Sequence, residues 1–213
     1  MLKPEATLDQ FDKLCTEAIE SGISHICIPG GKLEYCLEKL KDTKVRVASV
    51  MGFPHGNGHS KAKAFEANLL LGLGAQELDM VIDVGKIKDM DYHGVKKDIH
   101  AVVSECQQRG SDRVLKVILE TCLLTHQQII DACILSVFAG AHYVKTSTGF
   151  STAGASAQIV RMMKLTVGDS ALVKASGGIR NYNDAILMLR NGASRIGTSS
   201  GAAIVQESNT LQI

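Results

Sequence analysis

The sequence predicts an α/β fold in which helices surround a parallel sheet. Seven short and nearly all-apolar segments are centred near residues 26, 47, 79, 115, 144, 173 and 196, and helical segments separate them. Strands that are apolar throughout and alternate with helices are typical of βα units with a parallel sheet. A Gly-Ala pair at residues 74–75, 140–141 and 192–193 precedes three of the strands. Glycine there supplies the cap that ends a helix and turns the chain back.

The elements follow one another along the whole chain. Helix 7–21 begins with a capping box formed by Thr7 and Gln10, and a second box, Thr125 with Gln128, begins helix 127–139. The other predicted helices span 33–40, 62–72, 94–108, 157–166, 183–191 and a segment from about 202. The predicted strands span 25–29, 45–51, 78–84, 114–120, 143–145, 172–174 and 195–197.

The number of strands leaves the architecture open. The 213 residues contain no linker or shift in composition, so we expect one domain over residues 1–213. A closed (β/α)8 TIM barrel needs eight strands, and only residues 1–4 are left to supply a strand before the first helix. Local pattern therefore allows either an open doubly wound sheet or a barrel that lacks most of strand 1.

Composition excludes several classes of function. The formal net charge is +1 and no basic block occurs, so neither nucleic acid nor an anionic membrane is an expected partner. We find no signal peptide and no apolar run of membrane-spanning length. The six cysteines show no CxxC or zinc-finger spacing, which favours reduced thiols in a cytoplasmic protein. Cys27, between two isoleucines, is expected to be a core residue.

Two lysines near the ends of successive apolar strands are the strongest chemical signal. Lys145 is followed by Thr-Ser-Thr-Gly, and Lys174 by Ala-Ser-Gly-Gly. On neighbouring strands each ammonium disfavours the charge of the other, which lowers one pKa and leaves a neutral amine for Schiff-base formation. Asp79, in an otherwise apolar strand, needs a cationic partner, and the lysines can provide it in a proton relay. The alternatives are two rim lysines and a structural salt bridge.

Other polar residues extend this candidate site. Gly177, Gly178, Ser199 and Ser200 follow the last two strands, where barrels frequently bind phosphate, and Arg180 adds a charge. Lys116 and Glu120 share strand parity and are expected to face inward as a charge pair, with a structural or a catalytic role. His55 and His59 lie in a glycine-rich loop without a carboxylate partner, so solvated histidines are favoured over metal ligands.

Several motifs in this order resemble the deoxyribose-phosphate aldolase family, whose members are class I aldolases on a (β/α)8 barrel. The motifs are LKPEAT at 2–7, GFP at 52–54, DMVI at 79–82, ETCLLT at 120–125, KTSTGF at 145–150, KASGG at 174–178 and GTSSG at 197–201. The resemblance favours the barrel over the open sheet. Relatives carry an Ile-Asp-His-Thr-like stretch before the LKPEAT motif, so we expect strand 1 to be missing here, with reduced stability and activity.

The resemblance also implies an activity. The reaction is reversible cleavage of 2-deoxy-D-ribose 5-phosphate to acetaldehyde and D-glyceraldehyde 3-phosphate, without a metal or another cofactor. Lys145 is then the Schiff-base lysine, Lys174 its pKa-lowering neighbour and Asp79 the proton-transfer partner. Gly177, Gly178, Ser199 and Ser200 hold the phosphate, and Thr148, Lys116 and Arg180 are further expected contacts of the substrate.

Two other functions remain possible from sequence alone: a Schiff-base aldolase for another phosphosugar, and a phosphate-binding protein without catalysis. The oligomeric state is open, with a homodimer or a homotetramer as candidates.

Overall fold

The computed structural model describes residues 1–211, in which strands and helices alternate. The strands are β1 His25–Pro29, β2 Arg46–Met51, β3 Glu77–Val81, β4 Val114–Ile118, β5 Tyr143–Lys145, β6 Leu172–Ser176 and β7 Arg195–Gly197. The helices are α1 Leu8–Glu20, α2 Leu33–Lys39, α3 Ser60–Gly72, α4 Val84–Lys88, α5 Tyr92–Gln108, α6 His126–Ala139, α7 Ala157–Val167, α8 Tyr182–Arg190 and α9 Gly201–Leu211. Two 3₁₀ turns, Gly30–Lys32 and Thr121–Leu123, precede α2 and α6.

The seven strands form one parallel sheet in the order β1-β2-β3-β4-β5-β6-β7. All seven predicted strands are confirmed. The sheet is curled, and this curl brings β7 close enough to β3 for Arg195 to donate a hydrogen bond to Glu77. Within residues 1–211, however, β1 and β7 are the edges of the sheet and residues 1–7 form no strand. The structure therefore shows an open, curled seven-stranded sheet and not the closed eight-stranded barrel.

Alternation along the strands divides the sheet into two faces. Leu78, Met80, Val117, Val144 and Val173 belong to the buried hydrophobic core that the outer helices cover. Because successive side chains of a strand point to opposite faces, the residues between them point to the inside of the curl. Those residues include the charged side chains of β3 to β6.

The helix caps agree with the sequence prediction. Capping boxes are present at Thr7 with Gln10 and at Thr125 with Gln128, at the starts of α1 and α6. Each box satisfies backbone N–H groups that the first helical turn leaves without partners.

Three strand ends differ from the prediction for local reasons. β3 stops at Val81 because Asp83 caps a short helix, α4, that the sequence pattern did not indicate; its carboxylate accepts a hydrogen bond from the Lys86 N–H at 3.2 Å. β4 stops at Ile118, and Glu120 adopts a left-handed backbone with φ of 54°. β6 continues to Ser176, so Lys174 lies in the middle of its strand and not at the end.

We expect Gly56→Ala to destabilise the fold. Gly56 has φ of +74°, and a Cβ atom there would lie 2.0 Å from the carbonyl oxygen of Ile82. The strained backbone and the clash should lower the free energy of unfolding by about 1–3 kcal/mol. Gly58→Ala is the matched control, because its Cβ would meet nothing within 4 Å. Chemical denaturation of both variants measures the difference, and equal stabilities would contradict the expectation.

Candidate active site

A buried carboxylate, Asp79, lies at the centre of the charged inner face. The side chain has no exposed surface. Its Oδ1 atom lies 2.8 Å from Lys116 Nζ, and its Oδ2 atom lies 2.8 Å from both Lys145 Nζ and Lys174 Nζ. A buried charge is tolerated when it is paired and hydrogen-bonded, and three ammonium groups meet this condition for Asp79.

The register of the sheet places these four side chains together. Asp79 is the Cα partner of Lys116 across β3 and β4, and Lys145 is the partner of Lys174 across β5 and β6. The two lysines therefore lie on neighbouring strands and enter the interior at the same height. Their side chains are 4% and 7% exposed, so water has little access to either amine.

The charges shift the pKa values of this group in different directions. Burial lowers the pKa of Lys145; the attraction of Asp79 opposes this shift, and the positive charge of Lys174 adds to it. Burial, the largest single cause, also disfavours the ammonium of Lys174, but the attraction and hydrogen bond of Asp79, together with the effect of Cys27, outweigh burial and raise the pKa of Lys174. Burial acts against the carboxylate of Asp79, yet the three lysines hold its pKa well below the usual range. Burial is thus a larger cause of the Lys145 shift than the neighbouring lysine that the sequence argument emphasised.

The predicted pair between Lys116 and Glu120 is wrong. Lys116 lies 2.5 Å from Glu77 Oε2 in addition to its contact with Asp79. The left-handed backbone at Glu120 takes its carboxylate out of the strand, where it accepts hydrogen bonds from the N–H and the hydroxyl of Thr148. The Thr148 Oγ1 atom in turn accepts the Phe150 N–H at 3.0 Å. Glu120 therefore holds the loop that follows Lys145.

The expected phosphate-binding residues lie on two adjacent loops. Ser176 on β6 pairs with Gly197 on β7, so the loops after these strands leave the same edge of the sheet side by side. Gly177 and Gly178 have φ of 85° and 80°, a conformation that suits glycine. Gly178, Arg180 and Ser199 are exposed, and Ser200 is half-buried immediately before α9.

Three residues of the interior escaped the sequence analysis. Glu77 lies two positions before Asp79 on the same face of β3, and this parity was the available signal. Arg195 Nη1 and His25 Nε2 lie 2.5 and 3.1 Å from the Glu77 carboxylate. Nothing local in the sequence indicated these contacts, because they join β7 and β1 to β3.

Cys27 also differs from its prediction as a core residue. It is half-buried, and its Sγ atom lies 3.8 Å from Asp79 Oδ2. His55 and His59 are exposed, in agreement with the expectation of solvated histidines.

A cleft opens beside Thr148 at the carboxyl ends of the central strands. Its empty volume is about 530 Å³. The lining consists of Pro54, His55, Val81, Val84, Glu120, Leu123, Thr148, Phe150 and Ser151. Phe53 and Phe150 meet edge to face above this region, with ring centroids 5.3 Å apart. Substrates of parallel α/β folds bind at this end of the strands.

Residues 1–211 contain no cluster of three or more His, Cys, Asp or Glu side chains arranged to hold a metal ion. None of the helices there has both the length and the apolar character that a membrane span requires.

Comparison with known proteins assigns the chain to a family. The model of the family described as "DeoC/LacD family aldolase" matches residues 2–207. The chain belongs to this aldolase family. It is therefore an aldolase, a lyase that makes or breaks a carbon–carbon bond.

Individual relatives agree with this assignment. The aldolase is 47% identical over 206 residues to the deoxyribose-phosphate aldolase of Carboxydothermus hydrogenoformans, covering 97% of this chain and 90% of the relative. It is 49% identical over 207 residues to that of Thermococcus gammatolerans, covering 96% and 91%. The tetrameric deoxyribose phosphate aldolase of Aeropyrum pernix superimposes with a TM-score of 0.88 at 33% identity, covering 99% of this chain and 88% of that one.

We expect Lys174→Leu to raise the pKa of Lys145. The substitution removes a like charge that shares Asp79 Oδ2, so the Lys145 ammonium becomes easier to keep. An NMR titration of isotopically labelled lysine side chains measures this, with the Lys145 signal assigned by its absence from Lys145→Met. Lys41→Leu, at an exposed position, should leave the titration unchanged. A Lys145 titration that is the same in Lys174→Leu and the wild type would contradict the charge coupling.

Proposed function

We propose that this aldolase reversibly cleaves 2-deoxy-D-ribose 5-phosphate into acetaldehyde and D-glyceraldehyde 3-phosphate through a Schiff base on Lys145. The observation that carries the proposal is the buried amine of Lys145, whose pKa is lowered by burial and which shares one oxygen of Asp79 with Lys174. A neutral amine is the form that attacks a carbonyl group. The names of the relatives support the choice of substrate.

In the proposed reaction, the neutral Lys145 amine adds to the C1 aldehyde of the open-chain sugar, and loss of water gives an iminium ion. The C3 hydroxyl then gives its proton to a base, and the C2–C3 bond breaks. Its electron pair moves to the iminium group and forms an enamine on Lys145, while C3 leaves as the aldehyde of glyceraldehyde 3-phosphate. A proton returns to C2, and water releases acetaldehyde and the free amine.

The surrounding charges suit these proton transfers. Asp79 and Cys27 together outweigh the effect of burial and raise the pKa of Lys174, so its ammonium is available as the acid that helps water to leave. Asp79 contacts both amines through one oxygen, so in the proposed relay that oxygen accepts a proton from one amine and passes it to the other.

The substrate phosphate is proposed to bind against Gly177, Gly178, Ser199 and Ser200. The loops that carry these residues follow the neighbouring strands β6 and β7, at the carboxyl end of the sheet, where β5 ends with Lys145. Helix α9 begins at Gly201, directly after Ser200. The free N–H groups and dipole at a helix start favour an anion. Exposed Arg180 adds a positive charge beside this loop, and Thr148 borders the cleft where sugar hydroxyls would lie.

Borohydride reduction in the presence of acetaldehyde tests the nucleophile. We expect Lys145 of the wild type to become N-ethylated, a net gain of C2H4, with a parallel loss of activity, because borohydride reduces an imine to a stable secondary amine. Lys145→Met should neither turn over nor gain this mass. Lys41→Met, which removes an exposed lysine, should react like the wild type. Modification of Lys145→Met at a rate equal to that of the wild type would show that another amine forms the imine.

A carboxylate at the proposed phosphate site should repel the substrate. We expect Ser200→Asp to raise KM for deoxyribose 5-phosphate at least tenfold, because two negative charges then meet at the start of α9. Activity on unphosphorylated deoxyribose should fall much less. Ser111→Asp places the same charge in an exposed loop at the opposite end of the strands and should change neither value. Equal losses on both substrates would indicate that Ser200 serves the fold.

A further inference from the structure

Lys116 connects Asp79 to a second buried carboxylate. Its Nζ atom lies 2.8 Å from Asp79 Oδ1 and 2.5 Å from Glu77 Oε2. All three side chains are 1% exposed or less. Because Glu77 and Asp79 are alternate residues of β3, both face the interior, and the ammonium of Lys116 lies between them.

Glu77 is held in turn from the two edges of the sheet. Arg195 at the start of β7 contacts its Oε2 atom at 2.5 Å, and His25 at the start of β1 contacts its Oε1 atom at 3.1 Å. The Arg195 guanidinium also lies over the ring of Tyr143, 4.9 Å from its centroid. These contacts fix the position of the Glu77 carboxylate and therefore of the ammonium that it binds.

The contact with Lys116 determines which oxygen of the Asp79 carboxylate is open to Lys145 and Lys174. Oδ1 is taken by Lys116, so Lys145 and Lys174 share Oδ2, each at 2.8 Å. Two carboxylates face three lysines and one arginine here, in addition to the imidazole of His25. When all of these groups are charged, the interior carries an excess of positive charge. Loss of a proton from one lysine reduces this excess.

We propose that Lys116 is a positioning residue, held by Glu77, which occupies one oxygen of Asp79 and leaves Lys145 and Lys174 to share the other. Lys116 itself has no exposed surface and so does not contact the substrate. The inference rests on the proposed function, because it concerns the availability of Lys145 as a neutral amine. It adds that this availability depends on Lys116 and Glu77, neither of which touches the reacting atoms.

Other groups that titrate or carry charge surround Lys116 and contribute to the measured pH dependence. They are Glu77 and Asp79 on β3, Tyr143 and Lys145 on β5, Lys174 on β6, Arg195 on β7, His25 and Cys27 on β1, Cys106 on α5, and His142 before β5. Burial lowers the pKa of His142 and so disfavours the charged form of this imidazole. His25→Gln is measured alongside, because it removes the imidazole that contacts Glu77.

The test is the pH dependence of borohydride trapping of acetaldehyde by the wild type, Lys116→Met and Glu77→Gln. Lys116→Met removes a cation and frees Asp79 Oδ1, so we expect the midpoint of trapping to move up by about one pH unit and the rate at pH 7 to fall about tenfold. Glu77→Gln removes an anion and leaves every cation in place. It should move the midpoint in the opposite direction, to lower pH. A merely structural role predicts no such pair of opposite shifts.

Lys63→Met controls for the loss of a buried lysine. Lys63 is 2% exposed and pairs with Asp98 at 2.6 Å, outside the interior of the sheet. We expect this variant to lower the melting temperature without moving the midpoint.

Each outcome decides one question. If the wild type is not trapped at Lys145, the proposed function fails. If the wild type is trapped and the midpoint of Lys116→Met is unchanged or lower, the positioning inference is overturned and the proposed function stands. If Lys116→Met does not fold, Glu77→Gln decides alone: a shift to lower pH supports the inference, and an unchanged or higher midpoint overturns it.

Discussion

The buried charge of Asp79 is the constraint on which the centre of the sheet depends. Removing one carboxylate from water costs several kcal/mol, and close cationic partners offset that cost. Three ammonium groups within 2.8 Å provide this compensation, and they come from β4, β5 and β6. A shift of any one of these strands by a single residue would turn its lysine toward the helices. The register of the sheet and the ionisation of Asp79 therefore stabilise each other.

Strand alternation separates the residues that stabilise the fold from those that carry charge. Val144 and Val173 pack in the hydrophobic core, and each immediately precedes a lysine that faces the interior. A chain with more polar strands would lose the core, and one with only apolar strands would lose the site. The same period of two explains why the strands read as almost entirely apolar, since the lysines are single exceptions in buried runs.

Local features of the sequence predicted most of the fold. The strands followed from apolar runs, and the starts of α1 and α6 followed from their capping boxes. Lys145, Lys174 and Asp79 were singled out because charged residues in buried strands are costly, and the structure brings them together. Glu77 was missed because its partner Arg195 lies 118 residues away in the sequence, a contact that depends on how far the sheet curls. The left-handed backbone of Glu120 was missed as well, since glutamate does not favour that conformation.

Local sequence pattern, apart from the family resemblance, does not distinguish Lys145 from Lys174, because both end an apolar run and precede small residues. The structure does distinguish them. They are Cα partners and share one oxygen at the same distance, yet the pKa of Lys145 is lowered, mainly by burial, while Asp79 raises that of Lys174. These opposite directions favour the proton on Lys174 over Lys145. In the proposed mechanism, Lys145 would then act as the neutral nucleophile and Lys174 as the acid, on either side of one carboxylate oxygen. Schiff-base formation needs a neutral amine to attack the carbonyl group and an acid to help water leave the adduct. Two lysines of equal pKa would supply this nucleophile and this acid poorly.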